Sequence, residues 1–247
     1  MPVQHFVRLG VTLLVAIVVL AGCGDDDGNS DSDPTEATED AATLLSQASD
    51  ALASTNSLRF NLEIDGTTYV DDNETIRLVS ATGDLARPDK VDVEFQVELL
   101  GSQTVSIRMI TIGEESWTTN LLSGAWETSP EEFGYNPTVL FDNQNGLGPV
   151  AGKLIGPQVL GADNLGGRDT WQVQGTVDNA TIAPLTSGTI DGEVITVTLW
   201  LDQETHNILR LRVEEPDNAA KENPATWTMT LTGHNKDLTI NPPDVAG

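Results

Sequence analysis

The residue order predicts an α+β fold: one antiparallel sheet with helices gathered on one of its sides. Three observations carry this. Apolar and polar residues alternate through several stretches in both halves of the chain, which is the period of a half-buried strand. A helix-spaced apolar segment precedes the first of these stretches. The middle of the chain loses the alternation and holds short apolar groups opened by Asn-Pro and Gly residues. Helix, meander, helical insert and meander, in that order, fit helices segregated to one face of a sheet.

The chain opens with His5 and Arg8 and an almost wholly apolar run from Leu9 to Leu20. That run has the length of a signal-peptide core and is too short for a comfortable membrane span. It ends in Leu20-Ala21-Gly22-Cys23, which contains the only cysteine of 247 residues. An ordinary secretory signal with a chance Cys, or a short anchor helix, is the plainer reading. Small residues before a lone Cys also resemble the lipobox of bacterial lipoproteins. That resemblance implies acylation of the Cys23 thiol and cleavage before it. Residues 1–22 are then a signal peptide, and the mature protein sits on the extracytoplasmic face of the cell membrane, held by its acyl chains.

Twelve Lys and Arg stand against 38 Asp and Glu, a formal net charge of −26. Nucleic acid is therefore not an expected partner, because binding it rests on phosphate neutralisation by Lys and Arg. A single Cys excludes an intrachain disulfide and a thiolate metal cluster. Residues 23–40 read as an acidic flexible tether with too little apolar surface to order itself. The Asp-rich start of that tether fails the spacing of a calcium loop. Residues 41–247 form the folded domain, expected to be a monomer.

Leu44, Leu45, Ala48 and Leu52 lie on one face of a helix over Ala41 to Ser54. Leu58, Phe60, Leu62 and Ile64 then alternate with Arg59, Asn61, Glu63 and Asp65. A weaker strand covers Ile76 to Leu85. Val91, Val93, Phe95, Val97 and Leu99 make the cleanest alternation, and a turn at Gly101-Ser102 leads to Val105, Ile107 and Met109. Glu114 to Leu121 adds a short strand with Trp117. In the middle, Val139, Leu140 and Phe141, then Leu147, Val150, Leu154, Ile155 and Val159, read as two short helices, the second ending near Gly161. Asp169 to Val177 is a strand and Asp178 to Leu185 a short helical connection. Val194 to Leu201, Ile208 to Glu214 and Thr226 to Thr232 are three further strands.

Several stretches in this order resemble the LppX/LprA/LprF/LprG family of actinobacterial lipoproteins. They are Ser57 to Leu62; Gly83-Asp84-Leu85-Ala86-Arg87-Pro88; Trp126 after the Trp117 strand; Phe141 to Leu147; Gly175-Thr176-Val177; Val197 to Asp202; and Thr205 to Leu209. The resemblance implies a LolA/LolB-like half-barrel, a strongly curved antiparallel sheet with helices across its concave side. It also implies an apolar cavity that binds acylated lipid or glycolipid and helps move it across the envelope. The cavity lining expected on this basis is Phe60, Leu62, Phe95, Val97, Val105, Ile107, Met109, Phe141, Leu147, Val150, Leu154 and Ile155. The acidic tether and the long polar loop from Thr67 to Thr75 depart from the family pattern.

Pattern alone leaves two outcomes open for these residues, an unfilled cavity or a packed core. The packed core would make the protein a sensor or scaffold of the envelope. Catalysis has little support. His206 and His234 fall in polar turns and read as surface residues. No Gly-x-Ser-x-Gly elbow or Walker loop occurs, and Gly146 to Gly152 has one residue too many for a dinucleotide fingerprint. No cofactor or metal is expected. The five tryptophans lie on separate strands, which favours core or rim packing over a sugar platform.

Overall fold

In the computed structural model, residues 40–121, 123–129, 137–217 and 223–245 are described. The expected signal segment, Cys23 and residues 24–39 of the expected tether lie outside them. The first helix, α1, spans Ala41–Ser54. Asp40 caps it, its carboxylate accepting from the Thr43 amide at 3.1 Å. The predicted face is the buried one: Ala41, Leu44, Leu45, Ala48 and Leu52.

Six strands follow: β1 (Ser57–Asp65), β2 (Ile76–Ala86), β3 (Lys90–Leu99), β4 (Gln103–Ile112), β5 (Glu115–Thr119) and β6 (Trp126–Thr128). A 3-10 turn over Pro137–Phe141 and the helix α2 (Leu147–Gly152) lead to β7 (Ile155–Leu165) and β8 (Arg168–Asp178). The helix α3 (Asn179–Thr186) then precedes β9 (Val194–Asp202), β10 (Ile208–Glu214) and β11 (Thr226–Thr232).

All eleven strands form one antiparallel sheet in the order β6-β5-β4-β3-β2-β1-β11-β10-β9-β8-β7. Each half is a simple meander, and the halves meet where β1 pairs with β11. The connection from β6 to β7 must therefore travel from one edge of the sheet to the other. It carries the 3-10 turn and α2 across the concave face. A curved antiparallel sheet with few helices over it matches the fold class expected from the sequence.

The strands bury one face, as the period of two requires. In β1, Leu58, Phe60 and Leu62 are buried while Arg59, Asn61 and Glu63 are exposed. The convex face carries ion pairs such as Arg59–Asp84 at 2.8 Å and Arg108–Asp92 at 2.7 Å. On the concave face, α1 rests on α2, where the Ser49 hydroxyl donates to the Gly148 carbonyl at 2.7 Å. Arg87 ties these parts to the sheet. It donates to the carbonyls of Thr55 at 2.8 Å and Phe141 at 3.0 Å, and its guanidinium lies 4.4 Å from the centre of the Phe141 ring.

Three expectations need correction. Residues 155–160 are not helical; they begin β7, an edge strand. Gly156 and Gly161 adopt φ of 59° and 144°, and the register slips beside each, so the strand is bulged and its side chains do not alternate. The strands number eleven among the described residues, because β6 and β7 join the nine stretches read as strands. His206 and His234 are half-buried, not surface residues.

Gly83 shows how tightly the inner face is fitted. A Cβ there would lie 2.7 Å from both the Asp92 carbonyl oxygen and the Phe60 ring. Replacing Gly83 with Ala is expected to cost about 1–3 kcal/mol of stability, the range for overpacking. Urea unfolding should show a lower midpoint with an unchanged slope.

Candidate functional site

The inward residues of β1, β3 and β4 form one wall of an apolar cavity: Phe60, Leu62, Phe95, Val97, Ile107 and Met109. In β2 the register slips between Leu78 and Ser80, which changes the strand's phase and lets Leu78 and Ala81 face the same side. Across the β1–β11 seam the wall continues with Met229, Trp227, Leu211 and Val213. Leu140 of the 3-10 turn, Leu147 of α2, and Ile182 and Leu185 of α3 cover it from the concave side. The enclosed space is about 600 Å³, inside the range of small-molecule sites.

The mouth lies at one end of the sheet. Val70 and Asp71 in the β1–β2 loop, Leu121 after β5, and Ser187 and Thr189 after α3 stand there. Asp71 is the one charged side chain among the lining residues, so the interior is apolar and uncharged. Its carboxylate accepts from the Thr75 hydroxyl at 2.7 Å, the Ile76 amide at 2.7 Å and the Thr75 amide at 2.9 Å. Those donors, the Thr75 hydroxyl foremost, hold its pKa below the ordinary carboxylate value. They also fold the long polar loop back on itself, with Leu78 donating to the Thr68 carbonyl at 2.8 Å. Trp227 satisfies its indole N–H on the Thr68 hydroxyl at 3.0 Å, leaving its apolar body for the wall.

Seven of the twelve expected lining residues stand on this cavity: Phe60, Leu62, Phe95, Val97, Ile107, Met109 and Leu147. The other five do not. Val105 is half-buried against the core. Phe141 sits beneath Arg87, beside a smaller, more polar cleft of about 340 Å³ between α1, α2 and the 3-10 turn. Val150 is sealed in the core, and Leu154 packs near Gly175. Ile155 is 64% exposed at the start of β7. Sequence reasoning missed the lining from β10 and β11, although both were read as strands. It also missed Ile182 and Leu185 on α3.

The profile of the LppX_LprAFG lipoprotein family matches residues 40–240, nearly the whole described domain. The chain belongs to that family. Lipoprotein LprA of Mycobacterium tuberculosis is 22% identical over 255 residues, covering 98% of each chain. LprF of Mycobacterium bovis carries a provisional designation as a diacylated glycolipid transporter. It is 36% identical over 73 residues, 29% of this chain and 28% of LprF. The crystal structure of LprF from Mycobacterium bovis superposes with a TM-score of 0.66 at 21% identity, covering 84% of this chain and 97% of that one. Lipoprotein LppX of Mycobacterium tuberculosis gives 0.56 at 16% identity, covering 81% and 98%. These two likenesses establish the LppX_LprAFG fold.

A second polar cluster lies at the opposite end of the sheet from the cavity mouth. Asp202, 3% exposed at its side chain, receives Arg168 at 2.6 Å and the Thr205 hydroxyl at 2.7 Å. His206 Nδ1 and His234 Nε2 are buried without a hydrogen-bond partner. Among the described residues no three His, Cys, Asp or Glu side chains are grouped so as to hold a metal ion.

Burial pushes the His234 imidazole below its ordinary value of 6.5, with Arg168 adding to the effect and Asp202 opposing it. The unfolded chain therefore takes up this proton at a higher pH than the folded one does. The His234 contribution is complete above about pH 6.5 and is lost as pH falls below it. Chemical denaturation between about pH 7.5 and about pH 5.5 should show stability declining toward the acid side, and His234→Gln should flatten that decline.

Proposed function

We propose that this protein is a membrane-anchored lipoprotein that holds the acyl chains of a lipid or glycolipid in its apolar cavity and assists their transfer through the cell envelope. The observation that supports the reading is the unfilled space of about 600 Å³ with apolar walls and a single carboxylate at its mouth. Each buried methylene contributes about 0.8 kcal/mol. Ten methylenes would contribute about 8 kcal/mol, from which the costs of association are drawn. No charged contact in the interior is needed. A polar headgroup stays at the mouth beside Asp71, Ser187 and Thr189, where it keeps its hydration. The diacylated glycolipid role designated for LprF agrees with this chemistry.

The anchor in this reading is Cys23, acylated after removal of residues 1–22. Residues 24–40 are the leash: a coil of that length spans roughly 20–25 Å, and its acidic side chains extend it. No catalytic step is assigned. The protein acts by sheltering chains from water and releasing them.

Organic extraction of the purified protein followed by mass spectrometry should recover acylated lipid; its repeated absence would favour the envelope scaffold. Val97→Trp fills the cavity from β3 and should lower lipid uptake at least about tenfold, equivalent to about 1.4 kcal/mol. Leu160→Trp, on the exposed edge strand, should leave uptake unchanged. Equal uptake by both variants would place the lipid elsewhere.

A further inference from the structure

We propose that the end of the sheet surrounding the cavity mouth docks onto the surface of a lipid bilayer, so that acyl chains pass between bilayer and cavity without crossing water. This rests on the carrier reading above and adds to it the surface through which loading occurs.

Exposed apolar side chains are not scattered over this protein. Among the described residues, eight large apolar side chains are exposed. Six of them occupy loops or strand ends at the end of the sheet that carries the mouth: Tyr69, Val70, Leu100, Leu121, Ile155 and Val194. The strand register fixes this placement, since Leu99 pairs with Ile76, Ile155 with Thr176 and Val194 with Asp178, all at the same end. The other two are Leu160, midway along β7, and Val245 near the carboxyl terminus. A clustered apolar rim marks an interaction surface, whereas isolated apolar residues do not.

Leu100 is the most telling member. It is 78% exposed, at the tip of the β3–β4 turn, with a φ of 50°. That left-handed backbone disfavours residues with a Cβ, and Asn or Gly is the usual choice in such a hairpin. The position thus combines an unfavourable backbone with an unfavourable exposure. Its amide bonds the Thr75 carbonyl at 2.9 Å, which fastens the tip to the mouth loop held by Asp71. Val70 and Leu121 belong both to the rim and to the cavity lining, so the exposed apolar surface runs unbroken into the interior.

The occupant follows from the leash and the charge. Seventeen residues separate Cys23 from α1, a length that lets the body reach the bilayer that holds the anchor. Asp72 and Glu74 are exposed beside Val70. Two copies meeting rim to rim would bring these acids together. They would equally oppose an anionic headgroup surface, so docking favours an uncharged one.

The test uses the full acylated chain on phosphatidylcholine vesicles. Hydrogen exchange should slow at 66–75, 99–103 and 119–121 and stay unchanged in the opposite-end turns at 87–89, 113–114 and 203–206. Phosphatidylglycerol in the vesicles should weaken the protection, and added salt should restore it. Leu100→Asn should raise the thermal midpoint yet slow acyl-chain uptake from vesicles on the order of tenfold. Uptake from detergent-dispersed lipid should not change. Vesicle uptake at the wild-type rate, or rim exchange no slower on vesicles, overturns the docking proposal and leaves the rim to a protein partner. Failure of the wild type to take up even detergent-dispersed lipid overturns the carrier reading instead, and rim protection on vesicles would then stand alone.

Discussion

Seven residue pairs between β1 and β11, from Arg59 with Thr232 to Asp65 with Thr226, hold the protein together. They are the only strand pairing between the two meanders among the described residues. Phe60 faces Leu231 and Leu62 faces Met229 across this seam, and Ile64 faces Trp227. The middle of the cavity wall is therefore built by residues from opposite ends of the domain. Further bonds fasten the seam beyond the ladder: Asn235 to the Ser57 carbonyl at 2.8 Å, Thr67 to the Asn223 carbonyl at 3.1 Å, and the indole of Trp227 to Thr68. Contacts this distant in sequence are entropically costly to form, so the wall completes only when both meanders are in place.

The empty volume follows from a mismatch of areas. Eleven strands present one apolar face, and the cover consists of fourteen residues of α1, six of α2, eight of α3 and a 3-10 turn. α1 and α2 spend much of their apolar surface on each other and on the core beneath them. Arg87 pins α1 and the 3-10 turn at one end through the Thr55 and Phe141 carbonyls. The span from β4 to β10 is left with a thin roof of Leu140, Leu147, Ile182 and Leu185.

Much of this was legible in the sequence, and the reasons are local. The period of two fixed β10 and β11 to the residue, and the period of three and four did the same for α1. Six of the seven expected residues that stand on the cavity lie on β1, β3 and β4 and came from the period of two, because a strand with one buried face names its inward side chains. β7 was hidden by its own irregularity. Gly156, Pro157 and Gly161 break the alternation, and Ile155 and Val159 fell by chance at helical spacing. β6 has three residues, too few for any period. Phe141, Val150 and Leu154 are apolar and inward, as read, yet they fill the space under α1 and α2. An apolar pattern says that a side chain leaves water, not whether its neighbour is another side chain or a void.

An open sheet has two free edges, and both are blunted here. At one end β6 stops after three residues. At the other, β7 bulges twice, so its amides and carbonyls do not form a straight row. A neighbouring copy cannot add its own strand to either side and continue the ladder. A long flat border would invite side-by-side polymerisation, and the two bulges of β7, the outermost strand of the second meander, remove that route to fibres.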